Sequence, residues 1–179
     1  MNILFVSANS ADEYIDIERE QRTLQKLLES GNHSLQLLPA AEVEDLRAAL
    51  STNRKEKRFD VLHFSGHATE EEGLHLRGEG RHKEFLSGEM LKGFLQGSKV
   101  KLVVLNACRS EALAISLSEV VPSAIGTTRV VRDVVARRFT HDFYSALKVD
   151  RTVGEAFQAV LKKDRPGSDP AYMHAGSTD

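Results

Sequence analysis

The chain has 179 residues, 41% hydrophobic and 28% charged, which is the size and composition of one globular domain with one core. Twenty-four Lys and Arg against twenty-six Asp and Glu leave a net charge of -2, which excludes a whole-molecule field directed at nucleic acid or an anionic membrane. Apolar runs such as Leu102 to Leu105 fall far short of the roughly 20 residues of a membrane-spanning helix.

Met1 is followed almost at once by Ile3-Leu4-Phe5-Val6, with no basic n-region, leader or cleavage site, so the sequence predicts a cytoplasmic protein. That apolar run ends in Ser7-Ala8-Asn9-Ser10 and reads as a buried strand and a turn. From about Ile15 to Ser30, Ile17, Leu24, Leu27 and Leu28 share a helical face, with Gly31 placed to cap it. Leu35 to Leu38 is a second strand ended by Pro39, and Val43, Leu46, Ala49 and Leu50 mark a second helix.

Phe59 to Phe64 reads as a third strand, and Lys99 to Leu105, apolar on both faces, as a strand buried on both. The polar stretch Ala68 to Glu84 between them carries Gly73, Gly78 and Gly80 and predicts a hairpin or loop, followed by a helix from about Ser87 to Leu95. A further helix starts near Ser110, and Pro122 to Gly126 is a short strand. Two amphipathic helices follow, one lined by Val135, Phe139, Phe143 and Leu147, the other by Val153, Phe157, Val160 and Leu161. Strands alternating with helices predict a three-layer α/β/α fold with a mainly parallel sheet, spanning residues 1–163. Residues 164–179 read as a tail that includes one edge strand, Ala171 to Ala175.

In parallel sheets functional groups gather at the C-terminal ends of the strands. Two such ends carry chemistry here: His63-Phe64-Ser65-Gly66-His67-Ala68 and Leu105-Asn106-Ala107-Cys108-Arg109-Ser110. If these strands are neighbours, an imidazole and the only thiol emerge on one sheet edge, as a Cys/His nucleophile pair requires. A nearby imidazole, or the start of the helix after Cys108, would favour the thiolate over a thiol of ordinary pKa near 8.5, about the value for an unperturbed cysteine. The competing reading makes Cys108 a small buried hydrophobe and His67 a loop histidine.

Other readings are weaker. His63 and His67 have a spacing that binds zinc on a helix, but on an extended strand four residues span about 13 Å, so His63 is expected to be a core histidine and no metal is predicted. The turn Ser7 to Ala11 contains no glycine, and Gly78-Glu79-Gly80 does not join a strand to a helix, so neither carries a phosphate-binding fingerprint and no cofactor is predicted. The basic stretch Arg54 to Arg58 is interrupted by Glu56 and lacks aromatics, and Arg137 and Arg138 lie on the outer face of a helix, so direct nucleic-acid binding is not expected.

At the two strand-end motifs the sequence resembles the CHAT domains, relatives of the caspases among the caspase-like cysteine peptidases. Ile3 to Asn9, Asp60 to His67, Val103 to Cys108 and the helix Phe139 to Leu147 all look like that family's pattern, and the resemblance covers about residues 1–163. It implies peptide-bond hydrolysis in a protein substrate, with His67 as general acid and base and Cys108 as the nucleophile that forms the acyl-enzyme. The implied oxyanion donors are the backbone N–H groups of Cys108 and Ala68. Ala68 departs from the family's usual glycine, keeping the N–H but losing easy access to positive φ, so the alternative is a weak or inactive caspase-like interaction module. Asn106 stands where metacaspases that cut after basic residues carry an acid, so a strict Arg or Lys preference is not implied. Asp133 and Gly126 to Arg132 are expected to shape the cleft. The resemblance further implies bacterial defence or cell-death signalling and control by a sensing or activating module.

Overall fold

The computed structural model describes residues 1–9, 14–55, 59–79, 82–149, 151–163 and 170–177. The end of the Ser7–Ala11 turn, Gly80 and the side chains of the basic stretch from Arg54 to Arg58 lie outside the described residues. In chain order the elements are β1 (Asn2–Ala8), α1 (Ile17–Leu28), β2 (Ser34–Leu38), α2 (Val43–Lys55), β3 (Val61–Gly66), β4 (Ala68–Thr69), β5 (Gly73–Arg77) and β6 (Lys83–Leu86). They continue as α3 (Gly88–Leu95), β7 (Leu102–Asn106), α4 (Glu111–Leu117), β8 (Ser123–Thr127), α5 (Asp133–Leu147), α6 (Val153–Leu161) and β9 (Tyr172–Gly176).

Six strands form the main sheet in the order β2-β1-β3-β7-β8-β9. The first five pair in parallel and β9 pairs antiparallel with β8. Every residue of β3, β7 and β8 is buried, and in β7 (Leu102-Val103-Val104-Leu105-Asn106) that burial shows as a continuous apolar run rather than as alternation. Side chains nonetheless sort by parity. Leu4, Val6, Leu62, Phe64, Val103 and Leu105 pack with Leu46, Leu50, Leu91, Leu95, Ala114 and Leu117 of α2, α3 and α4. Ile3, Phe5, Val61, Val104 and Ile125 pack on the other face with Leu24, Phe143 and Phe157 of α1, α5 and α6. The result is the three-layer α/β/α arrangement, with one apolar core on each side of the sheet.

Local chemistry starts the helices where the cores need them. Ser87 caps α3 through its hydroxyl, which accepts from Met90 N at 3.3 Å. A reciprocal capping box opens α6: Thr152 Oγ1 accepts from Glu155 N at 3.2 Å, and Glu155 Oε2 accepts from Thr152 N at 2.9 Å. The polar stretch between β3 and α3 folds as a separate antiparallel sheet, β4-β5-β6, which buries Leu74, Leu76 and Leu86 in the core on the α2–α4 side.

Candidate active site

β3 and β7 are neighbours, paired in parallel from Val61↔Leu102 to Ser65↔Asn106. One residue beyond β3 lies His67, and two beyond β7 lies Cys108, so the topology delivers both to one sheet edge. Both line a cleft of about 250 Å³, together with Ser65, Asn106 and Tyr172, and with apolar walls that include Ile15, Val131 and Ala136. Val130, Val131 and Asp133 from the stretch expected to shape the cleft are part of its lining. A larger hollow of about 960 Å³ beside α6 contains neither His67 nor Cys108.

The turn that carries Cys108 is fixed from β8. Thr127 Oγ1 donates to Ala107 O at 2.5 Å, Thr127 N donates to Ser110 Oγ at 3.0 Å, and Ser110 Oγ donates to Leu105 O at 3.3 Å. Arg109, the residue after the thiol, takes a left-handed conformation at φ 52, a state that costs a non-glycine residue roughly 1–2 kcal/mol and persists where surrounding bonds dictate it. Its N–H donates to Arg129 O at 3.4 Å. Gly126 lets this turn sit against β8, since a Cβ there would lie 2.6 Å from Ser110 O. Gly66 plays the same part beside β1, where a Cβ would lie 2.7 Å from Ala8 O.

On the histidine side, His75 N donates to His67 O at 3.0 Å, and the two imidazole centroids lie 6.4 Å apart. In an antiparallel ladder opposed pairs alternate between hydrogen-bonded and non-hydrogen-bonded. The His67/His75 pair is bonded, so its neighbour Ala68↔Leu74 is not, and the Ala68 N–H points away from β5. Ala68 has no positive φ, so the conformation here does not call for glycine. Its position differs from that of the pair: Ala68 lines an adjoining hollow of about 200 Å³, with Arg109 and Ser110.

At the floor of the cleft, which Glu20 also lines, lies a polar cluster that sequence reasoning missed. His63 is fully buried, stacks on Phe5 with ring centroids 4.9 Å apart, and has both ring nitrogens engaged. Nε2 lies 2.9 Å from Glu20 Oε1 and Nδ1 lies 2.9 Å from the Tyr144 hydroxyl. A carboxylate only accepts, so Nε2 carries a proton toward Glu20, and Nδ1 pairs with the Tyr144 hydroxyl. Glu20, 3% exposed, also accepts from Ser65 Oγ at 2.7 Å, from Thr140 Oγ1 at 2.6 Å and from Asn106 Nδ2. Burial pushes the Glu20 carboxyl up, but the hydrogen bond and charge of His63 and the bonds from Ser65 and Thr140 outweigh it and hold the group below its ordinary range. Tyr172 donates from its hydroxyl to Asn106 Oδ1 at 2.5 Å, and burial, then the charges of Glu20 and Cys108, raise its pKa well above the usual tyrosine value. The sequence did hold one signal for Glu20: it occupies the i+3 position from Ile17 and the i−4 position from Leu24, inside the apolar stripe of α1.

Comparison with known proteins agrees with this architecture. The CHAT domain family matches residues 6–172. A protein of Gillisia limnaea named a probable protease is 27% identical over 156 residues, covering 81% of this chain and 26% of its own length. A Roc-COR-CHAT protease from an unknown prokaryotic organism is 24% identical over 125 residues, covering 63% of this chain and 12% of its own length. The chain therefore spans about a quarter and about an eighth of these two relatives. The Drosophila initiator caspase Dronc shares the fold, with a TM-score of 0.64 at 9% identity over 98% of this chain and 79% of its own. With a parallel sheet that brings His67 and Cys108 to one cleft and a match that runs almost from end to end, this chain belongs to the CHAT domain family, in a caspase-like fold.

Proposed function

We propose that the protein is a cysteine endopeptidase that cleaves a protein substrate through His67 and Cys108. The observation that carries this reading is the delivery of an imidazole and the chain's one thiol to a single cleft by two adjacent parallel strands. His67 takes the Cys108 proton, and the thiolate sulfur bonds to the substrate carbonyl carbon. The C–N bond of the resulting tetrahedral intermediate breaks as His67 returns the proton to the leaving amine. Water, deprotonated by the same imidazole, then hydrolyses the thioester and releases the acid. The N–H groups of Ala68 and Cys108 stabilise the developing oxyanion, a role supported for Ala68 by an N–H turned away from β5. We propose further that activity is under the control of a sensing or activating module, in bacterial defence or cell-death signalling; relatives several times longer than this chain have room for such a module.

The rate of Cys108 alkylation by iodoacetamide as a function of pH, in the native protein and in His67→Ala, tests the pair without requiring a substrate. We expect rapid alkylation persisting well below the ordinary thiol pKa, about 8.5, and lost in the variant. Slow alkylation with the same ordinary profile in both proteins would overturn the dyad and favour a caspase-like interaction module.

A further inference from the structure

Glu20 is a buried carboxylate that the chemistry above does not use, and its partners are unusual in where they sit. His63 and Ser65 come from β3, Asn106 from β7, Thr140 from α5 and Glu20 itself from α1. Ser65 and Asn106 are register partners at the ends of the two strands. Each stands two residues before a member of the proposed pair: Ser65 before His67, Asn106 before Cys108. One carboxylate, itself part of the cleft lining, thus ties together the two strand ends whose next turns carry the imidazole and the thiol.

The bonds leave little freedom. Asn106 Nδ2 donates to Glu20 and, at 2.9 Å, to Thr140 Oγ1, while Asn106 Oδ1 accepts from Tyr172, so the orientation of its amide is specified at both ends. His63 has no ring nitrogen left for a metal or a substrate. A cluster of this kind is not needed to fill the core, because apolar groups of similar volume commonly stabilise a buried position as well or better than a charged one. What a carboxylate supplies, and a leucine does not, is directional acceptance from both strand ends at once. A reacting pair has to be held within about 0.5 Å of its productive geometry by surrounding side chains that are themselves locked.

We infer that Glu20 is a positioning residue, which holds the ends of β3 and β7 so that His67 and Cys108 meet in reactive geometry. The inference rests on the dyad reading, and the experiment separates the two. Alkylation of Cys108 is measured against pH in the native protein, in His67→Ala, in Glu20→Ala, in Glu20→Gln and in Thr140→Val, each with its melting temperature. Thr140 lies outside the cleft lining, and the valine keeps its shape while deleting one donor to Glu20 and one acceptor for Asn106.

Misplacement by about 1 Å costs a reaction on the order of 100-fold, so Glu20→Ala should lose most of the alkylation at acidic pH and return an ordinary thiol profile. Glu20→Gln should regain much of it, since the amide oxygen still accepts from His63, Asn106 and Thr140, and the Ser65 hydroxyl can turn to accept from the amide nitrogen. Thr140→Val should lie between Glu20→Gln and the native protein. If Glu20→Ala does not fold, Thr140→Val and Glu20→Gln decide. Folded variants that all keep the native pH profile, while His67→Ala loses it, would overturn the positioning role and leave the dyad standing. No change in His67→Ala itself would overturn the dyad, and the positioning role with it.

Discussion

At the scale of single residues, Ala68 illustrates how backbone geometry outweighs residue identity. The alanine in place of the family's usual glycine raises the expectation of an impaired oxyanion donor, yet the ladder between β4 and β5 turns its N–H away from β5 without positive φ. Ala68→Gly should therefore bring no large gain in hydrolysis of a peptide substrate. It should cost roughly 0.5–1 kcal/mol of stability instead, the ordinary penalty for added chain freedom in a strand. Activity in the two forms, compared with their denaturant midpoints, checks this, and a gain of an order of magnitude would show that the alanine does distort the donor. Cys108 makes the complementary point. Its turn is held by Thr127 of β8, which bonds Ala107 and Ser110 on either side of the thiol, and α4 begins only at Glu111.

Among the elements, β8 sets the place of the nucleophile through Gly126 and Thr127. A methyl group at position 126 would lie 2.6 Å from Ser110 O and 2.9 Å from Ala114 Cβ, so the Cys108 turn and α4 would have to move off the sheet. Gly126→Ala should cost about 1–3 kcal/mol, as overpacking of a tight contact does. It should also slow Cys108 alkylation at low pH in the fraction that remains folded. Calorimetry beside alkylation kinetics separates the two effects, and an unchanged melting temperature would show that the contact relaxes freely. β9 contributes from the opposite end of the chain. Tyr172 stacks on Phe139 with ring centroids 3.7 Å apart and donates to Asn106, so a strand near the C-terminus closes the cleft that β3 and β7 open.

For the whole molecule, two apolar cores lie on either side of one sheet, and the buried Glu20 is expected to make that assembly sensitive to acid. The folded-state pKa of Glu20 lies below its unfolded value, so the unfolded chain binds the proton more readily. The contribution to stability is complete above the unfolded pKa and is lost as pH falls through the folded one. Urea midpoints should accordingly decline below the ordinary carboxyl range, and Glu20→Gln should flatten that decline while lowering the midpoint at neutral pH. An acid limb identical in the two proteins would mean that other carboxylates carry it. Among the described residues no helix is long and apolar enough to cross a membrane.

The order of strands and helices, the parallel sheet and the two strand-end motifs were legible in the sequence because each is written locally. Hydrophobic period marks the elements, and a histidine and a cysteine just past apolar runs mark the candidate pair. Which strands lie side by side is not local information, and the pairing of β3 with β7 came from the sheet order alone. The Glu20 cluster draws on residues 20, 63, 65, 106, 140, 144 and 172, so no spacing rule connects them. Glu20 in the α1 stripe showed only that a carboxylate would be buried. What it would meet there was decided by tertiary packing, because a buried polar group is defined by the partners that the other elements bring to it.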